Sequence, residues 1–294
     1  MSGNRLPFLA QRIFNRPLMI LPEKAEVIVA ALADRLGVAH VFRDGVSRPA
    51  AAWDYDDDDR WSGGGVPDRG FDVAGGVALI EIRGTLVQRL DRVRPVSGMT
   101  GYDGIRQAFL AALSSPDVRA IVLDIDSPGG EVAGCFDLVD TISAARGVKP
   151  VWAILSENAA SAAYAIASAA DVITVPRTGC SGSIGVITMH IDLSRALDTN
   201  GVSVTILTYG ARKADGNEYQ PLGDVARAAI QGDIDAMGDL FVATVARNRN
   251  LPPDAIRAQQ AAVYLGEAGV AAGLADYVMA PDAAFRALLS TVQE

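Results

Sequence analysis

Arg119-Ala120-Ile121-Val122-Leu123-Asp124-Ile125-Asp126-Ser127-Pro128-Gly129-Gly130-Glu131-Val132 decides the fold. An apolar run over Arg119–Ile125 stops at a Pro-Gly-Gly turn, and a helical pattern then occupies Val132–Arg146. Working outward, the alternation repeats. Val151–Leu155 reads as a strand, Ala159–Ala169 as a helix and Val172–Val175 as a strand, and Ile184–Met189 and Val202–Leu207 are expected to add two more strands. Upstream, Val77–Arg83 is a strand pattern followed by a helix near Tyr102–Leu113; downstream, Asp224–Arg247 and Pro253–Gln259 are helical. Strands alternating with helices of this length specify an α/β fold of parallel β-α-β units with helices outside the sheet.

The segment before this region differs. Residues 1–46 carry one helix, expected over Pro22–Leu36, with Pro22 in the first turn, Glu23 and Glu26 at the positive end of the dipole and Gly37 as its stop. Residues 47–75 read as a linker, because Asp56–Asp59 is a block of like charge and Gly63–Gly65 a flexible triplet. The four carboxylates lack the alternating ligand spacing of a calcium loop. Residues 76–294 then form the main domain.

Composition limits the function. Of 294 residues, 50% are hydrophobic, enough for a substantial core, and 26 basic against 35 acidic side chains leave a net charge of −9. A phosphate-binding surface is basic, so nucleic acid is not an expected partner. Cys135 and Cys180 match no metal-ligand spacing and read as small buried residues of a reducing compartment, and two histidines, His40 and His190, are too few for a His-rich metal site. Neither a metal nor a cofactor is expected. Met1–Ile20 is broken by Arg5, Gln11, Arg12, Asn15 and Arg16, so no secretory signal is expected there, and no stretch approaches the roughly 18 apolar residues of a membrane span. A cytoplasmic location is expected.

Four short stretches carry chemistry. Strand ends followed by tight turns are where α/β sheets bind ligands. Gly129 and Gly130 allow close approach of backbone to a substrate and leave N–H groups unobstructed, as an oxyanion hole requires; a plain strand-to-helix turn uses the same residues. Glu157-Asn158-Ala159-Ala160-Ser161-Ala162-Ala163-Tyr164 puts one serine among alanines where a strand meets a helix. Ser161 is there as a nucleophile, accessible between small neighbours and beside the positive helix end, or as an N-cap. A serine nucleophile needs a base. His190 and Lys213 are the candidates, both at expected strand ends, and a lysine amine serves only when neutral. Thr178-Gly179-Cys180-Ser181-Gly182-Ser183-Ile184-Gly185-Val186 offers Ser183 either to hold such an amine or to satisfy local backbone.

Together these stretches resemble the signal peptide peptidase A (protease IV) family of serine peptidases, which have a Clp/crotonase-like fold. The resemblance rests on Asp126-Ser127-Pro128-Gly129-Gly130, Ala160-Ser161-Ala162-Ala163-Tyr164, Gly182-Ser183-Ile184-Gly185-Val186 and Gly210-Ala211-Arg212-Lys213-Ala214-Asp215-Gly216-Asn217, in that order, with Gly273-Leu274-Ala275-Asp276 closing the region. It covers about Gly76 to Met279. It implies Ser161 as nucleophile, Lys213 as base, Ser183 as the hydroxyl positioning the amine, and the N–H groups of Gly130 and Ala162 as the oxyanion hole, with Gly129 against the substrate. His190 then has no catalytic part. The resemblance further implies a homo-oligomer that completes each dyad between neighbouring domains. Leu6–Gly37 resembles the phage and prophage branch, head maturation proteases that act on scaffold and capsid proteins inside an immature shell; the other branch degrades signal peptides. A crotonase-type acyl-CoA enzyme is the other enzymatic reading, with Glu131 or Glu157 as acid and base. A shell- or scaffold-interacting protein that keeps the fold without cutting is the third.

Overall fold

The computed structural model describes residue 12 and residues 14–32, 40–43, 46–49, 68–96 and 98–293. The expected end of the first helix beyond Leu32, the Asp56–Asp59 block and the Gly63–Gly65 triplet lie outside these residues. In chain order the described elements begin with β1 (Leu18–Ile20), α1 (Pro22–Leu32), the hairpin β2 (His40–Arg43) and β3 (Val46–Pro49), β4 (Asp72–Ala74), β5 (Val77–Arg83), β6 (Thr85–Val87) and β7 (Met99–Gly101). They continue with α2 (Tyr102–Ser114), β8 (Ala120–Ser127), β9 (Gly129–Glu131), α3 (Cys135–Ser143), β10 (Val151–Ala160), α4 (Ala162–Ser168), β11 (Val172–Val175) and β12 (Cys180–Gly182). The remainder is α5 (Ser194–Thr199), α6 (Asp224–Arg249), α7 (Pro253–Arg257), β13 (Val263–Leu265), α8 (Gly266–Ala271), β14 (Tyr277–Val278) and α9 (Pro281–Gln293).

The main sheet runs β13-β12-β10-β8-β5-β4, with β11 and β14 branching from β10. β5, β8, β10, β11 and β12 pair in parallel, and the antiparallel strands β4 and β13 close the two edges. This is the expected α/β class. Strand periodicity explains the layering. Along β8, Ile121, Leu123 and Ile125 enter the main core beneath α2, α3 and α4, whereas Ala120 and Val122 face the opposite side with Ala284 and Leu288 of α9. β5 divides likewise, Ala78, Ile80 and Ile82 on one side and Val77 on the other. β4 belongs to the sheet although it lies inside the stretch expected to be linker.

Two expected strands are absent. Val202–Leu207 is irregular and exposed, and Ile184–Met189 makes only isolated bridges, of Ile187 with Leu18 and of Met189 with Phe14. Their β-favouring composition is real, but a strand needs a paired edge, and the main sheet already ends at β13. The helix expected over Val132–Arg146 is confined to Cys135–Ser143, because Gly129–Glu131 continues as a strand into a second, smaller sheet of order β1-β9-β6-β7. That small sheet places the N-terminal segment over the turn following β8.

Candidate active site

β10 ends the central strand and delivers Ser161 at its tip. Against β8 its register changes between Leu155 and Ala159, so the strand bulges around Glu157 before it regains contact at Ser127. On its other side Ala160 pairs with Gly182, and the Ser161 N–H donates to the Gly182 carbonyl at 2.8 Å. The Ser161 position is thus fixed from both neighbouring strands.

Ser161 sits at the N-cap of α4, yet its side chain makes no capping bond; its backbone lies at φ 55, ψ −118. An L-residue adopts a positive φ at a cost of order 1–3 kcal/mol, and such residues persist only where their surroundings over-determine them. The side chain is 1% exposed, and its Oγ has no hydrogen-bond partner. A buried hydroxyl left unpaired costs about 1–3 kcal/mol more. The N-cap role is therefore not what this serine performs. Ser183 also has a positive φ, 56, and is buried, with its N–H bonded to the Ala262 carbonyl. Two non-glycine residues strained side by side, on the loops that follow β10 and β12, mark one locality.

The Pro-Gly-Gly turn lies against it. A Cβ at Gly129, where φ is +101, would fall 2.1 Å from the Met19 carbonyl oxygen and 3.0 Å from Ser161 Cβ. At Gly130 it would fall 1.9 Å from the Leu86 carbonyl oxygen. Both positions exclude any side chain. The Ser127 hydroxyl pins the turn, donating to the Gly84 carbonyl and accepting the Gly129 N–H. Ala162 opens α4, where the helix offers its N–H no acceptor. Backbone donors and a helix N-terminus therefore converge beside the Ser161 hydroxyl, which is the arrangement that stabilises charge on an attacked carbonyl.

Ser161, Ser183, Gly129, Gly130 and Ala162 are thus brought together. Lys213 is not. It lies exposed in the turn-rich stretch after Tyr209, its N–H bonded to Gly210, and the unpartnered Ser161 Oγ takes no bond from its amine within this chain. His190, the other base candidate, is tied through Nδ1 to the Asn15 side chain at 3.2 Å. The carboxylates of an acyl-CoA enzyme fare no better. Glu131 is taken up by the Arg12 guanidinium at 3.2 Å and the Gln88 N–H at 2.7 Å. Glu157 stands on the bulge of β10, next to Asn158, whose N–H is held by Asp126. Among the described residues no cluster of His, Cys, Asp or Glu suits a metal ion.

Support around the site is buried and hydrogen-bonded. Tyr164 is fully buried and donates to the Leu274 carbonyl at 2.9 Å, and burial pushes its phenol well above the usual tyrosine range, so it stays a neutral strut. Arg249 forks onto Asp276, whose second oxygen accepts the Ile173 N–H. The Gly-Leu-Ala-Asp stretch at 273–276 thereby ties α6 to β11 and to the helix that carries Ser161. Sequence reasoning missed one contributor altogether, the segment 14–21. The apolar triplet Leu18-Met19-Ile20 after Pro17 was its only signal, and three residues are too few to separate a strand from a helix approach.

Residues 143–293 match the family described as peptidase family S49. The chain is 41% identical over 265 residues to the head-tail preconnector protein GP5 of Enterobacteria phage P21, covering 90% of this chain and 53% of that protein. It is 39% identical over 279 residues to the capsid assembly protease C of Escherichia phage lambda, covering 92% and 62%. Protease 4 of Salmonella typhi is 30% identical over 216 residues, covering 70% and 33%. The chain thus spans little more than half the length of the two phage relatives. Among solved structures, a membrane-bound stomatin-specific protease in complex with a substrate peptide aligns with a TM-score of 0.44 at 16% identity, covering 71% of this chain and 78% of that one. With its four motifs in order and a matching stretch that takes in α4, β12 and the Lys213 turn, the chain belongs to peptidase family S49, a family of serine peptidases.

Proposed function

We propose that the protein is a serine endopeptidase in which Ser161 is the nucleophile and Lys213 of a neighbouring copy is the base. The observation that carries this is the Ser161 side chain: buried, without a partner and on a strained backbone. A fold tolerates such a group where the unmade bond is reserved for another molecule. Ser161 Oγ attacks the substrate carbonyl carbon and its proton passes to the neutral Lys213 amine. The resulting oxyanion is held by the Gly130 and Ala162 N–H groups. The ammonium then protonates the departing amine, and a water deprotonated by the same amine hydrolyses the ester. Ser183 positions the amine.

The trans arrangement is supported by what surrounds Lys213. Leu207 is 91% and Tyr209 102% exposed, with Val202, Val204, Tyr219 and Val225 also open to solvent. Exposed apolar side chains on and near a strand-like run that pairs with no strand among the described residues suit a surface that another protein covers. A second copy docked there in a closed ring would bury the run and carry Lys213 out of water toward its neighbour's Ser161.

The substrate is a polypeptide. Similarity to a capsid assembly protease favours scaffold or capsid proteins, with action in the cytoplasm or within an immature shell. Degradation of signal peptides is the second reading within the family. Among the described residues no helix is long and apolar enough to cross a membrane. The test is mass spectrometry after exposure of the assembled protein to a serine-reactive phosphonate. The label is expected on Ser161, and labelling that persists undiminished in Ser161→Ala refutes the assignment.

A further inference from the structure

We propose that residues 14–21 of this chain occupy the groove in which an extended polypeptide binds for cleavage, with the Met19 carbonyl held at the catalytic serine, so that the protein carries its own displaceable occupant. The inference rests on the peptidase assignment for its functional meaning, but its structural content stands separately.

Extended substrates gain affinity by adding a strand to exposed backbone edges. The edge beside Ser161 is filled. β1 runs antiparallel to β9 with Leu18 opposite Glu131, Met19 opposite Gly130 and Ile20 opposite Gly129. The flanking bonds fix the phase of the ladder: the Leu21 N–H donates to Pro128, and the Val132 N–H donates to Pro17. In an antiparallel pair hydrogen-bonded positions alternate, so the pair between these two, Met19 with Gly130, is a bonded one. Its geometry turns the Gly130 N–H, the proposed oxyanion donor, to the Met19 carbonyl. Gly129 confirms the placement independently, since the space of one absent methyl separates the Met19 carbonyl oxygen from Ser161 Cβ.

The segment is held on its other edge as well. Leu18 and Ile187 exchange both backbone bonds, at 2.8 and 2.9 Å, and the Asn15 N–H donates to Met189. The chain therefore threads between 128–132 and 187–189 as a strand bonded on both sides. Side chains add anchors. Met19 is fully buried, Leu18 and Ile20 pack with Ala25, Ile28 and Ile187, and Arg12 pairs with the buried Glu131. This occupancy explains why Ser161, which must meet a substrate, is 1% exposed. It also assigns Ile184–Met189, the expected strand that never joins the main sheet: it is one wall of the groove. A substrate displaces residues 14–21, and its own apolar residue then takes the place of Met19.

A reversible lock tests this. Leu18→Cys with Ile187→Cys joins an opposed pair whose Cα atoms lie about 5.5 Å apart in such a ladder, within disulfide range. Labelling of Ser161 by a peptidyl phosphonate is expected to be at least about tenfold slower in the oxidised protein than after reduction, a decrease that corresponds to 1.4 kcal/mol or more. The wild type is expected to show no redox dependence. Equal rates in the two states overturn the proposal. A second readout needs no activity. In Ser161→Ala, a saturating octapeptide copied from residues 14–21 is expected to speed hydrogen exchange at the Leu18 and Leu21 amides. Unchanged exchange, or failure of the octapeptide to bind, overturns the proposal. Should Ser161 label in neither redox state, the peptidase assignment falls, and the exchange result alone decides the occupancy.

Discussion

Mixing two inactive variants separates a dyad shared between copies from one closed within a chain. Ser161→Ala keeps Lys213, and Lys213→Ala keeps Ser161; each alone is expected to lose about 10³-fold or more in peptide cleavage, as enzymes do when nucleophile or base is removed. Within the chain Ser161 Oγ meets no amine, and Lys213 lies on an exposed turn. In the proposed ring each Ser161 would draw its base from one neighbour. After subunit exchange at equal amounts, a site is intact when a Lys213→Ala copy receives the amine of a Ser161→Ala copy, which random assembly delivers at about one quarter of sites. Activity against mixing fraction x should follow x(1−x), with its maximum at equal amounts. The assay is hydrolysis of a quenched fluorescent polypeptide, with native mass spectrometry confirming that mixed oligomers form. Mixed oligomers with no more activity than either parent refute the shared dyad. A dyad closed within one chain gives that flat result, because no copy in the mixture holds both groups.

Two further outcomes concern stability. Ser161→Gly removes both the strained φ and the unpaired hydroxyl, so it should unfold about 1–3 kcal/mol less readily than wild type while losing activity, with Ser161→Ala between them because it keeps the strain; denaturant melts check the order. Burial pushes the Cys135 thiol up from 9.0 to about 12. The unfolded thiol ionises first as pH rises, so the unfolded state binds fewer protons, and stability that is complete below pH 9 is lost toward pH 12. The stability difference between wild type and Cys135→Ala should shrink by about 1.4 kcal/mol per pH unit in that window, and a difference independent of pH refutes it.

The sheet was legible because its strands are buried on both faces. Val77–Arg83 and Val172–Val175 came out of composition with their full bounds; β8 runs on past Ile125 into polar residues, and β10 runs on past Leu155 through Ala159 and Ala160, which the pattern placed in the following helix. The site was legible to the extent that chain order constrains it: β10 must pass its tip to a helix, and Ser161 is the residue at that junction. What the residues alone left undecided was the role of that serine. A capping serine and a nucleophilic one have the same neighbours in sequence and differ only in φ, ψ and the fate of one hydroxyl. Val202–Leu207 misled for a different reason. Its composition favours a strand, and pattern alone cannot say whether an edge for it to pair with exists in the same chain. The small sheet was invisible because its strands are three residues each and two of β9's three are glycines, chosen for what they exclude.

The strain at Ser161 and the strand over it belong to one balance. Holding an L-residue at φ 55 with its hydroxyl unpaired draws on the surrounding fold, here the bonds to Gly182, the buried Tyr164 and the Arg249–Asp276 fork. On the proposed reading, the return is a nucleophile that would need no rearrangement when a carbonyl arrives. A nucleophile so prepared is indiscriminate unless access to it is controlled. The proposed dyad and the proposed occupancy of the groove would impose two conditions: a base supplied by another copy, and a groove emptied of residues 14–21. An isolated chain would meet neither, so cutting would be confined to assemblies that also present a strand able to compete with Leu18-Met19-Ile20. Competition of that kind favours a substrate held at high local concentration, because an intramolecular occupant acts at an effective concentration in the millimolar range. A dense assembly of protein around the enzyme meets that requirement, whereas a dilute peptide does not.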